Sequence, residues 1–114
     1  MNRSQVKYRT KKKLDIAYNI QENSVRINRG ISFKHELAKF LLSWEALQQE
    51  NDIVTEAIFQ NGKRADVLVL QIAEAWEVVE SESEKSIETK KEEYPVKVIK
   101  FDAQTIIDYW KKYM

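Results

Sequence analysis

Residues 53–72 read IVTEAIFQNGKRADVLVLQI. Asn61-Gly62 is the strongest short hairpin signal available, because both residues tolerate the positive φ that a tight β-turn demands. Ile53 to Phe59 is rich in β-formers on one side of it, and Ala65 to Ile72 on the other. Within the second run, Val67-Leu68-Val69-Leu70 shows no polar alternation, as expected of a central strand covered on both faces. One charged residue, Asp66, interrupts the start of that strand.

Working outward, apolar residues at 33, 37, 40, 41, 44 and 47 follow the helical period, so residues 33–50 are expected to form an amphipathic helix capped by Ser32. Downstream, Trp76 to Val79 reads as a third strand. Ser83 to Tyr94, polar and halted by Pro95, reads as an exposed helix. Val96-Lys97-Val98-Ile99 is a fourth strand. Asp102 caps a last helix with Ile106, Ile107, Trp110 and Tyr113 on its buried side. The strand–helix–strand segment predicts a right-handed parallel crossover. Upstream, Leu14, Ile16, Tyr18 and Ile20 alternate as a strand does, and Val25 with Ile27 forms a second short one. The expected division is a basic N-terminal arm with a short hairpin over 1–30 and an α/β core over 31–114. Trp44, Trp76 and Trp110 are expected in the core. His35 is expected at the surface.

At 114 residues the chain suits one domain. It has no cysteine, which excludes disulfides and thiolate chemistry, and one histidine, too few for a zinc site of its own kind. No apolar run reaches the roughly 20 residues that cross a bilayer, and no signal peptide opens the chain, so a cytoplasmic protein without membrane contact is expected. Charge is divided unevenly. Residues 1–34 carry nine Lys and Arg against two acids, a net +7; residues 35–114 carry ten against sixteen, a net −6. Arg9, Lys11, Lys12 and Lys13 in the basic arm are suited to phosphate contacts, and Arg64 could join them or pair with a carboxylate.

The element order αβββαβ resembles the common core of the PD-(D/E)XK nuclease superfamily, the restriction-endonuclease-like and archaeal Holliday-junction-resolvase-like enzymes. The resemblance covers roughly residues 33–101 and rests on three motifs. Glu36 lies on the first helix, where many members carry a glutamate. Arg64-Ala65-Asp66-Val67-Leu68-Val69 looks like the family's Asp motif. Trp76-Glu77-Val78-Val79-Glu80-Ser81-Glu82-Ser83 occupies the place of its (D/E)-x-K motif. The fold implied is a mixed sheet flanked by helices. The activity implied is metal-dependent hydrolysis of DNA phosphodiesters, on branched or single-stranded DNA among others.

Such chemistry needs Mg²⁺ or Mn²⁺ to offset developing charge and activate water. These ions take hard oxygen ligands, commonly one or two carboxylates. The resemblance therefore implies Asp66, Glu80 and Glu36 as metal ligands, with Glu82 beside them in the catalytic set. The sequence departs from the family where Glu82 stands in place of the motif lysine. Glu77, Glu80 and Glu82 compete for the slot, and Lys85 is close enough to supply a displaced lysine. Glu80 is expected to face Asp66 and Glu77 to face away. A catalytically inactive relative that binds nucleic acid or a protein partner is the alternative function. A homodimer would suit an enzyme cutting both strands of a duplex, with the last helix as interface.

Overall fold

The computed structural model describes residues 1–18, 21–80 and 93–114. The anticipated helix over Ser83–Tyr94, together with Glu82 and Lys85, falls almost wholly outside these residues. So does the end of the anticipated strand at Ile20.

Helix α1 spans Arg3–Lys11 and α2 spans Phe33–Gln48. Strands β1 (Ile53–Ile58), β2 (Arg64–Val69) and β3 (Glu74–Val79) follow. Strand β4 (Lys97–Asp102) leads into helix α3 (Ala103–Lys111). The sheet order is β1-β2-β3-β4, antiparallel across the first two pairs and parallel between β3 and β4. The chain is thus an α/β domain with a four-stranded mixed sheet and, among the described residues, three helices. None of these helices is long and apolar enough to cross a membrane.

Local chemistry accounts for the boundaries. The Ser32 hydroxyl caps α2 by accepting from His35 N at 3.0 Å, and Asp102 caps α3 by accepting from Thr105 N at 3.0 Å. In the β1–β2 hairpin Gly62 has φ +86, Phe59 N donates to Lys63 O, and Asn61 Oδ1 accepts from Lys63 N. A side chain at 62 would be strained in that left-handed conformation.

Two apolar clusters sandwich the sheet. Ala38, Leu42 and Ala46 of α2 and Ala103 of α3 pack on Ile53, Val67, Val69, Trp76 and Val78. Leu14, Phe59, Leu68, Leu70, Ala75 and Val98 form the opposite cluster. The strand alternation slips at one place. Val54 and Ala57 join the same cluster though three residues apart, and so do Leu68 and Ala65. Glu56 and Asp66 sit between them, and Glu56 has φ +52, a left-handed conformation in mid-strand. The kink falls where the charged residues enter.

The N-terminal region differs from expectation. Residues 1–13 are not a loose arm. Asn2 and Gln5 form a reciprocal capping box, and the basic run continues as α1. It packs on the 3₁₀ turn Leu70–Ile72, and Arg3 donates to Glu50 O and Asn51 Oδ1 at 2.8 Å. No hairpin forms over 14–27 among the described residues; Leu14 makes only an isolated bridge to Phe59. Residues 21–31 instead run along the outer edge of β1. Asn23 N donates to Ile53 O, Asn23 Oδ1 accepts from Ile53 N, and Thr55 Oγ1 bonds Arg26 N and Ser24 O. Such a strap satisfies backbone groups that a bare edge strand would expose.

Candidate active site

The site is built where α2, the strap, the kink of β1 at Glu56, the start of β2 and the end of β3 meet. Carrying the β2–β3 register one step beyond Val67–Trp76 places Asp66 opposite Glu77. Glu77 is 4% exposed and hydrogen-bonds to Asp66, whose Oδ2 also accepts from Val78 N at 2.8 Å.

This corrects the expected register. Glu77 lies beside Asp66, whereas Glu80 is exposed and accepts from the Ser32 hydroxyl at 2.6 Å. The reason is the β2–β3 connection. Strand β2 stops at Val69 and a 3₁₀ turn ending in Ala73 (φ +52) returns the chain at Glu74, two residues earlier than expected. In that register Glu80 lies beyond the end of β3.

Helix α2 contributes three side chains. His35 is half-buried, not a surface residue: its Nδ1 lies 3.3 Å from Glu36 Oε1 and its Nε2 3.5 Å from Asp66 Oδ2. Glu36, 8% exposed, also accepts from Asn28 N in the strap. Lys39 has no exposed surface; its Nζ sits 2.5 Å from Glu36 Oε2 and 3.0 Å from Glu56 Oε1. Asn28 Nδ2 donates to the same Glu56 oxygen at 2.8 Å. One chain of contacts therefore links Glu77, Asp66, His35, Glu36, Lys39 and Glu56.

Burial drives the Asp66 carboxyl upward, but the hydrogen bonds from His35, Glu77 and the Val78 amide outweigh it and hold Asp66 below its usual range. The Asp66 carboxylate likewise raises His35 above its ordinary value; burial opposes this and Glu36 adds to it. Four carboxyl groups thus face one lysine and one histidine. Partial burial of such a cluster in a low-dielectric interior favours any further cation.

The donor chemistry fits a hard divalent ion. Asp66 and Glu77 present oxygens from neighbouring strands, matching the one or two carboxylates that Mg²⁺ or Mn²⁺ commonly takes. Among the described residues no three His, Asp or Glu side chains are gathered as a complete metal-ligand group. Glu36 is held toward Lys39 and His35, which leaves Asp66 and Glu77 as the carboxyl pair on this geometry that could take such an ion.

Lys39 and Glu56 were not singled out by sequence. A signal existed: each is a charge inside an otherwise apolar run, and their signs are opposite. Of the predicted phosphate-binding residues, Arg9 and Arg64 are exposed. Lys11 is paired with Glu22 at 2.8 Å, Lys12 lies over the Tyr8 ring, and Lys13 donates to Pro95 O. Trp76 is buried as expected, but Trp44 is 46% exposed and Trp110 only half-buried; Tyr113 is exposed. Comparison with known proteins finds no family model, no curated protein and no solved structure that matches this chain.

Proposed function

We propose that the protein is a metal-dependent nuclease hydrolysing DNA phosphodiesters, with a restriction-endonuclease-like core. The observation that carries the reading is the pairing of Asp66 with Glu77 across β2 and β3, in the two places where the resemblance puts acidic ligands. Glu36 approaches from α2, the helix that opens the αβββαβ core, again where that family carries a glutamate. A Mg²⁺ or Mn²⁺ ion held by Asp66 and Glu77 would offset charge on the scissile phosphate and lower the pKa of a bound water.

The chain's own residues do the rest. Glu77, of the three glutamates that compete for the slot in the sequence, fills it, ahead of Glu80 and Glu82. Lys39 supplies the buried cation that the third strand lacks, and acts as a positioning residue by fixing Glu36 and Glu56. His35, between Glu36 and Asp66, can relay a proton between water and the carboxylates. Incubation with single-stranded, branched and duplex DNA in Mn²⁺ tests the reading. Cleavage is expected, and should be lost in Asp66→Asn and Glu77→Gln. If no DNA is cut, or if both variants cut as wild type does, the enzyme reading is wrong.

A further inference from the structure

A groove of about 440 Å³ adjoins the site, lined by Val25, Ile27, Phe33, Glu36, Leu37 and Phe40. Glu36 is common to groove and site. The apolar residues here are unusually open: Phe33 is 81% exposed, Ile27 79% and Phe40 48%. On α2 they fall at 33, 37 and 40, one ridge of the helix turned away from the sheet. An apolar ridge of this kind on a water-exposed helix implies a partner.

Charge says which partner. From Asn23 to Trp44 the sole acid is Glu36, which is buried in the site, while Arg26, Arg29 and Lys34 are exposed. Among the described residues the acids on adjoining elements are engaged: Glu56 by Lys39 and Asn28, Asp66 by His35, Glu77 beside Asp66, Glu80 by Ser32, and Asp102, the α3 cap, within electrostatic reach of Lys34. A second copy docked on this face would bring six of these cations together. A strand of nucleic acid instead supplies phosphates for the cations and flat apolar faces for the rings. Paired bases in a duplex keep those faces stacked; unpaired bases offer them.

We infer that the groove is a single-strand binding track, in which unpaired DNA bases stack on Phe33 and Phe40 while Arg26, Arg29 and Lys34 follow the phosphates toward Asp66 and Glu77. This names the substrate class of the proposed nuclease, and so rests on that reading.

Binding is measured by fluorescence anisotropy in chelator, where no cleavage intervenes, with a labelled thymidine oligonucleotide and a duplex of equal length. Wild type should prefer the single strand. Phe33→Ala should weaken single-strand binding about tenfold, leave duplex binding unchanged and keep the salt slope. Phe33→Leu should lose as much, since it retains apolar area but no ring, and Phe33→Trp should restore affinity. Arg29→Ala should lower the salt slope by about 0.7. Phe33 is so exposed that these variants should melt as wild type does.

Equal single-strand affinity in Phe33→Leu and wild type overturns the inference. So does an absence of single-strand binding, or a wild-type dimer that Phe33→Ala dissociates, which would make the ridge a self-interface. Metal-dependent cleavage of duplex by the same preparations is a separate readout. If it persists while single-strand binding fails, the track is wrong and the nuclease reading stands.

Discussion

Two lysines of this protein each bridge a pair of carboxylates, and their settings differ. Lys7, on α1, lies 2.8 Å from both Glu22 and Asp52, with all three side chains about 30% exposed. Lys39, on α2, lies between Glu36 and Glu56 with no exposure at all. Water screens the first cluster, so it contributes little and tolerates loss. The second has given up its hydration, and each charge depends on the others. A chain that needed only stability would fill the second position with apolar side chains. The expensive cluster sits against Asp66 and Glu77, and the inexpensive one against the far end of the sheet.

The contrast is broken most severely at Lys39. Lys39→Met should destabilise the fold by about 3–5 kcal/mol, because Glu36 and Glu56 remain buried without their cation. Chemical denaturation measures it, and a loss below about 1 kcal/mol would place Lys39 with the screened kind. The Lys39→Met, Glu36→Gln, Glu56→Gln triple variant should recover much of the loss.

The next effect is on metal binding. Asp66→Asn should destabilise the metal-free protein, since the ionised carboxylate is held below its usual range by His35 and the Val78 amide and so contributes to stability. It should abolish the rise in Tm that Mn²⁺ gives wild type through binding linkage. A thermal melt of both proteins with and without millimolar Mn²⁺ decides this. A Mn²⁺-dependent rise in Tm that persists in Asp66→Asn would remove Asp66 from the metal site.

At the screened cluster, Lys7→Ala should cost about 0.2–1 kcal/mol. Its larger mark is on acid stability. Lys7, with Asn23 and Gln71, holds Asp52 down at about 2. A depressed carboxylate contributes stability above its unfolded value near 3.8 and loses it as pH falls toward 2. Urea titrations across that interval should show a shallower acid limb in Asp52→Asn. An identical limb would remove the cluster from the pH response. The smallest effect is expected at the helix surface: Arg9→Ala, beside the paired Lys11, should shift the melt by well under 1 kcal/mol. It should weaken DNA binding evenly across sequences, measured as a lower salt slope.

The same contrast explains what the sequence could and could not tell. Periodicity and caps located α2, β1, β2, β4 and α3, because Ser32, Asp102 and Asn61-Gly62 act locally. Asp66 and Glu36 were legible as charges in apolar surroundings. The partner of Asp66 was not, because it depends on a register set by the 3₁₀ turn at Leu70–Ile72 and the left-handed Ala73, neither of which has a strong sequence mark. His35 was expected at the surface, yet its side of α2 faces the sheet: Leu42, on the same side, is 3% exposed and His35 reaches Asp66, while Phe33, Phe40 and Trp44 of the apolar stripe face outward. The alternation of Leu14 to Ile20 suggested a strand, yet Asn23 and Ser24, using side chain and backbone, are what cover β1.

The Gly62 turn has a consequence for the order of events during folding. It joins β1 and β2 through a short loop, and closing a loop of about ten residues takes tens of nanoseconds against microseconds for completing a hairpin. That hairpin carries Glu56 and Asp66, whereas the cations that face them, Lys39 and His35, arrive together on helix α2. Two acids are therefore expected to be brought close before their counter-charges arrive. The rate of collapse should then rise with ionic strength, which screens the two acids before their cations arrive; stopped-flow refolding against salt concentration would show it, and an unchanged rate would remove the pair from the early steps.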